Sequence, residues 1–339
     1  MFARVTVATV LFQFIGFPVL AQPSRFEFES KHMGTTFRIV MYAPDKATAE
    51  EAAKASFARV TELDQIMSDY NPKSELMRLC ATNDKKPGEP IPVSPDLFKV
   101  LDESKKIAAV ASGSFDVTVG PLVSLWRTSR RTQQLPDTEE LARAKSLVGM
   151  DLMTLDPEKQ TVSLKKPGMR LDLGGIAKGY AADTVHAVLV KRKITNALVA
   201  ASGDITVSDP PPGSDTWNID IAPLAKGEPT RRLKLRNASV STSGDLFQFV
   251  EINGVRYSHV LDPRTGLGLT GRRSATVIAP RGVEADALTK VASMVNPPDR
   301  AIELLQKRRG TDVFIAIKET EDAPVKTYQS PGFKAHLDQ

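Results

Sequence analysis

Residues 171–183 read LDLGGIAKGYAAD, which places an acid, a glycine pair and a lysine in one short stretch. Asp172 stands between Leu171 and Leu173 at the end of an extended run, and Gly174 and Gly175 let the backbone turn closely without a Cβ in the way. A helix opens directly afterwards. A glycine turn that feeds a helix N-terminus presents backbone N–H groups that suit phosphate, and Lys178 adds a positive charge at the same place. The spacing fits neither a Walker A loop nor the GxGxxG turn of dinucleotide-binding folds. A plain strand-to-helix turn with a solvated lysine accounts for the same residues, so this stretch alone leaves both readings open.

The elements that must position it follow from periodicity. Residues 177–193 form a helix in which Tyr180, Val185, Val188 and Leu189 recur on one side, with Lys191, Arg192 and Lys193 in the last turn, where the helix dipole favours cations. Ahead of it, 35–42 reads as a strand and 47–67 as an amphipathic helix showing Phe57, Val60, Leu63, Ile66 and Met67. Asn71-Pro72 signals a turn, Ser74 caps a short helix from Glu75, 85–95 is a loop, and 95–111 is a second amphipathic helix. Residues 112–126, SGSFDVTVGPLVSLW, combine a glycine turn, an extended apolar alternation and a Gly-Pro break, which reads as the entry to a strand; 127–137 reads as an exposed basic loop. A hairpin at 151–164 leads into the opening stretch.

Beyond the helix, 197–207 alternates as a strand with a turn at ASGDI, and 210–213 is a surface loop. The short runs 217–221, 232–235, 247–252 and 257–261 predict an antiparallel sheet, followed by a strand at 274–279, helices at 284–295 and 299–308, and a strand at 312–318. Asp204 and Asp245 each follow Ser-Gly and read first as turn residues, second as substrate-side groups. The expected fold class is α+β, a largely antiparallel sheet with flanking helices.

Residues 1–21 have the layout of a secretory signal: Arg4, a largely apolar run to Leu20, then Val19-Leu20-Ala21 before Gln22. Gln13, Gly16 and Pro18 interrupt that run, which falls short of the roughly 20 residues of a spanning helix. Cleavage after Ala21 would leave residues 22–339, as one domain or two lobes, exported to the periplasm without stable membrane insertion. The single cysteine, Cys80, excludes an internal disulfide and stands far from the cleavage point, so no lipid attachment is expected. With 339 residues, 41% of them hydrophobic, the chain is long enough to be held by its core. The net charge of +5 is spread along the chain without an aromatic-interleaved basic patch. That argues against nucleic acid and is compatible with an anionic small molecule or a membrane-side partner.

Eight blocks in order resemble the FAD:protein FMN transferases of the ApbE type: HMGTTF at His32, MSDYNPKSEL at Met67, SGSFDVTVGPLVSLW at Ser112, LDLGGIAKGYAAD at Leu171, ASGDI at Ala201, STSGDLF at Ser241, SHVLDPRTG at Ser258 and TVIAPRGVEADAL at Thr276. Each is weak alone; together they span nearly all of the chain beyond its leader. The resemblance implies a mixed α/β sandwich that binds FAD and, with magnesium, moves the FMN part onto a threonine or serine hydroxyl of an acceptor protein, releasing AMP. It implies flavin-nucleotide contacts from Met33, Tyr70, Ser114, Phe115, Asp116, Asp172, Lys178 and the backbone near Val260. It also implies a magnesium site built on the Gly175 carbonyl and Asp286, and His259 as general base.

The residue types suit that chemistry. Splitting a pyrophosphate requires the leaving phosphate's charge to be neutralised, by a hard cation on oxygen ligands or by fixed cations and N–H groups. The attacking hydroxyl loses its proton, and a histidine with an ordinary pKa near 6.5 is suited to take it. Tyr70, Met33 and Phe115 offer a flat apolar wall for an isoalloxazine ring. Each has a plainer alternative: His259 as a structural histidine, Asp286 as a helix-dipole partner, and Asp262, Arg264 and Thr265 as turn builders.

One position departs from the family pattern. A threonine or aspartate usually stands four residues after the first aspartate of the ADAL block as a second metal ligand, and here that residue is Lys290. Positions i and i+4 share a helix face, so an ammonium is expected beside Asp286. Three readings follow: magnesium held by Asp286, Gly175 and Thr289; Lys290 itself neutralising the pyrophosphate; or a protein that binds FAD without transferring FMN, with hydrolysis of FAD to FMN and AMP as a further alternative.

Overall fold

The computed structural model describes residues 22–224, 229–244, 249–320 and 323–338. Residues 1–21, expected to be a leader, and Asp245 lie outside the described residues. Among the described residues no helix is long and apolar enough to cross a membrane.

An eight-stranded sheet forms the centre. Its strands are Ser24–His32, Thr35–Ala43, Ala197–Ala201, Asp204–Val207, Ala238–Gly244, Arg272–Ala279, Asp312–Lys318 and Lys326–Gln329, and their order across the sheet is their order along the chain. Every neighbouring pair is antiparallel. The middle strands are apolar on both faces. Phe37, Ile39 and Met41 enter one core while Val40 enters another, and Val313 and Ile315 alternate with Phe314 and Ala316 in the same way. Period-two alternation thus feeds two layers.

Helices cover the first face, among them Lys46–Met67, Pro95–Ala108, Ala177–Lys191 and Gly282–Met294. The sequence starts the first two where their caps stand. Asp45 accepts the Thr48 N–H and Ser94 the Leu97 N–H, with Pro95 at the first position, where it has no hydrogen bond to lose. The other face packs against the hairpin of Trp217–Ile221 and Arg231–Leu235 and against Phe333. A third, smaller cluster joins Leu122 and Trp126 to Val250, Ile252, Tyr257 and Leu261 of the three-stranded sheet Phe249–Ile252, Val255–Asp262 and Leu267–Thr270.

Two sequence expectations change. The Gly-Pro break at 120–121 does not interrupt a strand; it opens the helix Gly120–Thr132, which also takes in half of the expected basic loop. Pro121 sits in the first turn, and Leu122 and Trp126 are buried one turn apart, a 3.6-residue period hidden by the preceding alternation. The segment 171–173 is extended but belongs to no sheet; the Asp172 N–H donates to the Val117 carbonyl instead.

Candidate active site

The helices Ala177–Lys191 and Gly282–Met294 cross at two glycines. A Cβ on Gly179 would lie 2.1 Å from the Gly282 carbonyl oxygen, and one on Gly282 would lie 2.6 Å from that of Gly179, so only glycine permits this approach. The contact is locked reciprocally. Asp183 on the first helix accepts the N–H groups of Gly282 (2.6 Å) and Val283 (3.0 Å), which start the second. Asp286 on the second accepts the Gly179 N–H at 3.1 Å. Both carboxylates satisfy N-terminal donors that no intrahelical carbonyl can reach.

This crossing changes the reading of the glycine turn. The N–H groups of Ile176 and Ala177 donate to the Leu173 carbonyl and that of Gly179 to Asp286, so these first-turn donors are already engaged within the protein. Positive charge at the site comes from side chains. Lys178 Nζ lies 3.1 Å from the Gly174 carbonyl, 3.1 Å from Asp204 and 3.6 Å from Asp286. Lys290 Nζ lies 2.6 Å from the other Asp286 oxygen and 3.1 Å from Thr289 Oγ1. Asp286 is fully buried beneath the two ammonium groups. Burial raises the pKa of its carboxyl, but Lys178 and Lys290 outweigh that and hold it below the ordinary aspartate value. For Lys178 the desolvation penalty is outweighed by Asp204 and Asp286, which hold its ammonium charged far above neutrality.

Both lysines line a cavity of about 640 Å³, within the range of cofactor sites. Phe115, Gly174 and Gly175 form the adjoining wall. At Gly175 a Cβ would stand 3.6 Å from Lys290 Cγ and 3.7 Å from Phe115 Cε2, so the lysine stem and the aromatic ring both pack around this glycine. Farther along, Arg127 pairs with Asp69 at 2.6 Å and with Asp172 at 3.3 Å, and its guanidinium lies 4.1 Å from the centre of the Tyr70 ring. Tyr70 is 76% exposed, an aromatic face open to a ligand at the rim. Burial and the neighbouring Asp69 push the Asp172 carboxyl up to about 6, against the Gly174 N–H bond and Arg127, which lower it.

His259 and Val260 reach the cavity from the strand Val255–Asp262. The next residues build the expected turn: Asp262 accepts the Arg264 N–H at 2.8 Å and pairs with its guanidinium at 2.7 Å. Arg264 also donates to the Met294 carbonyl, tying the histidine strand to the end of the lysine-bearing helix.

The cavity therefore brings together Tyr70, Ser114, Phe115, Asp116, Asp172, Gly175, Lys178, His259 and Val260 of the expected set. Two of these also act on the protein itself. Ser114 Oγ donates to the Ala111 carbonyl, and Asp116 accepts from the Thr118 N–H. Met33 is not brought there; it sits at positive φ in the turn between the first two strands and packs on the main core. Asp286 and Thr289 lie behind the cavity wall, both fully buried, and Thr289 Oγ1 donates to the Asp286 backbone carbonyl. Sequence reasoning missed Arg127, placed in a loop, although the four-residue spacing of Leu122 and Trp126 just ahead of it carried the helical signal. Asp204 proves to be more than a turn residue: it accepts from Ser241 and pairs with Lys178 on the cavity wall.

An antiparallel sheet between two cores, with an aromatic-rimmed and lysine-floored cavity at its helix crossing, defines a protein built to bind an anionic, ring-bearing molecule. Comparison with known proteins gives the family. The ApbE family profile matches residues 33–315, and the chain belongs to that family. A relative from Escherichia coli strain K12 is 31% identical over 99% of this chain and 97% of its own, and one from Haemophilus influenzae is 34% identical over 90% and 89%. Both are named FAD:protein FMN transferase. The flavin transferase ApbE from Vibrio cholerae superposes with a TM-score of 0.82 at 29% identity, covering 93% of this chain and 100% of that one. The apo form of the Pseudomonas stutzeri flavinyl transferase ApbE gives 0.81 at 26% identity, covering 94% and 98%.

Proposed function

We propose that this protein transfers the FMN part of FAD to a threonine or serine hydroxyl of an acceptor protein and releases AMP. The observation that carries the reading is the convergence, in one cavity, of an aromatic wall, two half-buried lysines and His259, in a chain whose near-full-length relatives are named for this reaction. Phe115 and Tyr70 suit the isoalloxazine ring, and the lysine floor suits the pyrophosphate. In the transfer step the acceptor oxygen forms a bond to the FMN-side phosphorus. The bond from that phosphorus to the bridging oxygen breaks, the bridging oxygen leaves with AMP, and His259 takes the hydroxyl proton. The leader at 1–21 directs export, so the acceptor is a periplasmic or membrane-bound protein.

Magnesium, which the family resemblance implies, does not fit the residues present. Its expected ligand set was Gly175, Asp286 and Thr289. Asp286 has an ammonium against each carboxylate oxygen, and Thr289 Oγ1 is engaged by Lys290 and by the Asp286 carbonyl. A dication and an ammonium about 4 Å apart repel by about 8 kcal/mol at an effective dielectric of about 20, twice the figure for two unit charges. Among the described residues no group of three or more His, Cys, Asp or Glu converges to hold a metal ion. No step is therefore routed through magnesium.

The test is incubation of the protein with FAD and a threonine-bearing acceptor domain, followed by in-gel flavin fluorescence. A fluorescent acceptor band with AMP in solution is expected. Free FMN and AMP beside an unlabelled acceptor would identify a pyrophosphate hydrolase, and bound, intact FAD a binding module.

A further inference from the structure

The cavity floor carries a fixed cation where the family pattern calls for a metal ligand. Lys290 extends over Gly175, and its ammonium is held by Asp286 Oδ1 at 2.6 Å and Thr289 Oγ1 at 3.1 Å. Those are two of its three donors. The third remains for a ligand in the cavity that the side chain lines. Only 18% of the side chain is exposed, so its charge acts in a partly desolvated setting where a fixed cation interacts more strongly with an anion than in open water.

The surrounding charges show what this ammonium is for. Lys178 is occupied by Asp204, Asp286 and the Gly174 carbonyl, which makes it chiefly the brace of the network. Two lysines and two aspartates leave that network neutral, and Asp286 lies wholly beneath the surface. Of the two carboxylates only Asp204, paired with Lys178, lines the cavity, so a ligand over Gly175 meets the Lys290 ammonium with Asp286 hidden behind it. Thr289 and Gly175 orient the lysine, one by a hydrogen bond and the other by making room for its stem.

Resting on the transferase reading above, we propose that Lys290 is a built-in cation that binds the FAD pyrophosphate and stabilises the charge on the departing AMP phosphate, so that this protein transfers FMN without a divalent metal ion. The bonds made and broken are those of the transfer step already given. The lysine makes and breaks none; it stays protonated and electrostatically compensates the negative charge that develops on the bridging oxygen.

The experiment measures FAD binding by flavin fluorescence, and FMN transfer to a threonine-bearing acceptor, each in EDTA and in added magnesium. It uses the full-length exported protein, Lys290→Met and Lys290→Thr. The unmodified protein is expected to bind FAD and transfer FMN equally, within about twofold, in both conditions. Lys290→Met should bind FAD at least about tenfold more weakly in either. Lys290→Thr should lose about 10²-fold in transfer in EDTA, in keeping with the loss of one preorganised charge stabiliser, and recover when magnesium is added. Transfer by the unmodified protein only with magnesium, or FAD binding that magnesium tightens tenfold, overturns the proposal and leaves the transferase reading standing. An acceptor unlabelled in both conditions overturns the transferase reading instead. FAD binding then decides the lysine's role by itself: metal-insensitive binding lost in Lys290→Met supports it, and binding unchanged by that substitution refutes it. The measurements on the unmodified protein decide the metal question even if neither variant folds.

Discussion

Replacing Asp286 by Asn keeps the side-chain volume and an oxygen for the Gly179 N–H but removes the charge that two lysines share. Asp286 is fully buried, with Lys290 at 2.6 Å and Lys178 at 3.6 Å. Removing one partner of a buried ion pair typically costs about 3–5 kcal/mol. The lower end applies here, because Lys178 keeps Asp204 at 3.1 Å and Lys290 has an 18% exposed side chain. A loss of about 3 kcal/mol is a large share of an ordinary net stability and lowers Tm by about 6 °C, at about 2 °C per kcal/mol for a large domain. The pH dependence follows from the depressed carboxyl. A folded-state pKa below the unfolded value contributes stability that is present above the unfolded value of about 4 and is lost as pH falls through the folded one. Thermal unfolding of both proteins from pH 8 to pH 3.5 checks this. The Tm gap should be full at neutral pH and begin to narrow below about pH 4. A gap under 1 °C at pH 7, or one that widens in acid, would refute the claim that Asp286 is the charged centre of the helix crossing.

Asp172 has the opposite sign. Its folded-state pKa is raised to about 6, so the native state gives up stability as pH rises from about 4 to about 6; Asp172→Asn should melt higher than the unmodified protein at pH 8, by about 1–2 kcal/mol, with the difference gone at pH 4. Gly179→Ala drives a methyl to within 2.1 Å of the Gly282 backbone oxygen and should cost about 3 kcal/mol in thermal unfolding, with weakened FAD binding because the lysines move with the two helices. His259→Gln should lower the rate of FMN transfer by about 10²- to 10⁴-fold while FAD affinity stays within about threefold, measured by single-turnover labelling and fluorescence titration.

Much of the architecture was legible because local signals agreed with the fold. The helices from Lys46 and Pro95 carry side-chain caps at Asp45 and Ser94, and the strand Asp312–Lys318 is an uninterrupted apolar run. The first strand, Ser24–His32, gave little signal. It lies at the sheet edge, where only one side is paired and its alternation of Phe with charged residues never closes into an apolar run. The helix from Gly120 was hidden because Phe115, Val117 and Val119 alternate as a strand would and then hand over to a helical period without a polar break. That error also concealed Arg127. In the site, the i, i+4 spacing placed Lys290 beside Asp286 correctly. What the spacing did not carry was the second helix. That Gly179 and Gly282 bring Lys178 to the same carboxylate depends on a contact between residues about a hundred positions apart, which no local pattern encodes.

Transfer of FMN from FAD to a protein hydroxyl in this cavity changes the mass of the acceptor. Intact-mass spectrometry of a threonine-bearing acceptor, after incubation with the protein and FAD with magnesium present, tests it most directly. An acceptor heavier by one FMN phosphoester is expected, with AMP released in equal amount. An acceptor of unchanged mass, with FAD intact or split to free FMN and AMP, would contradict it.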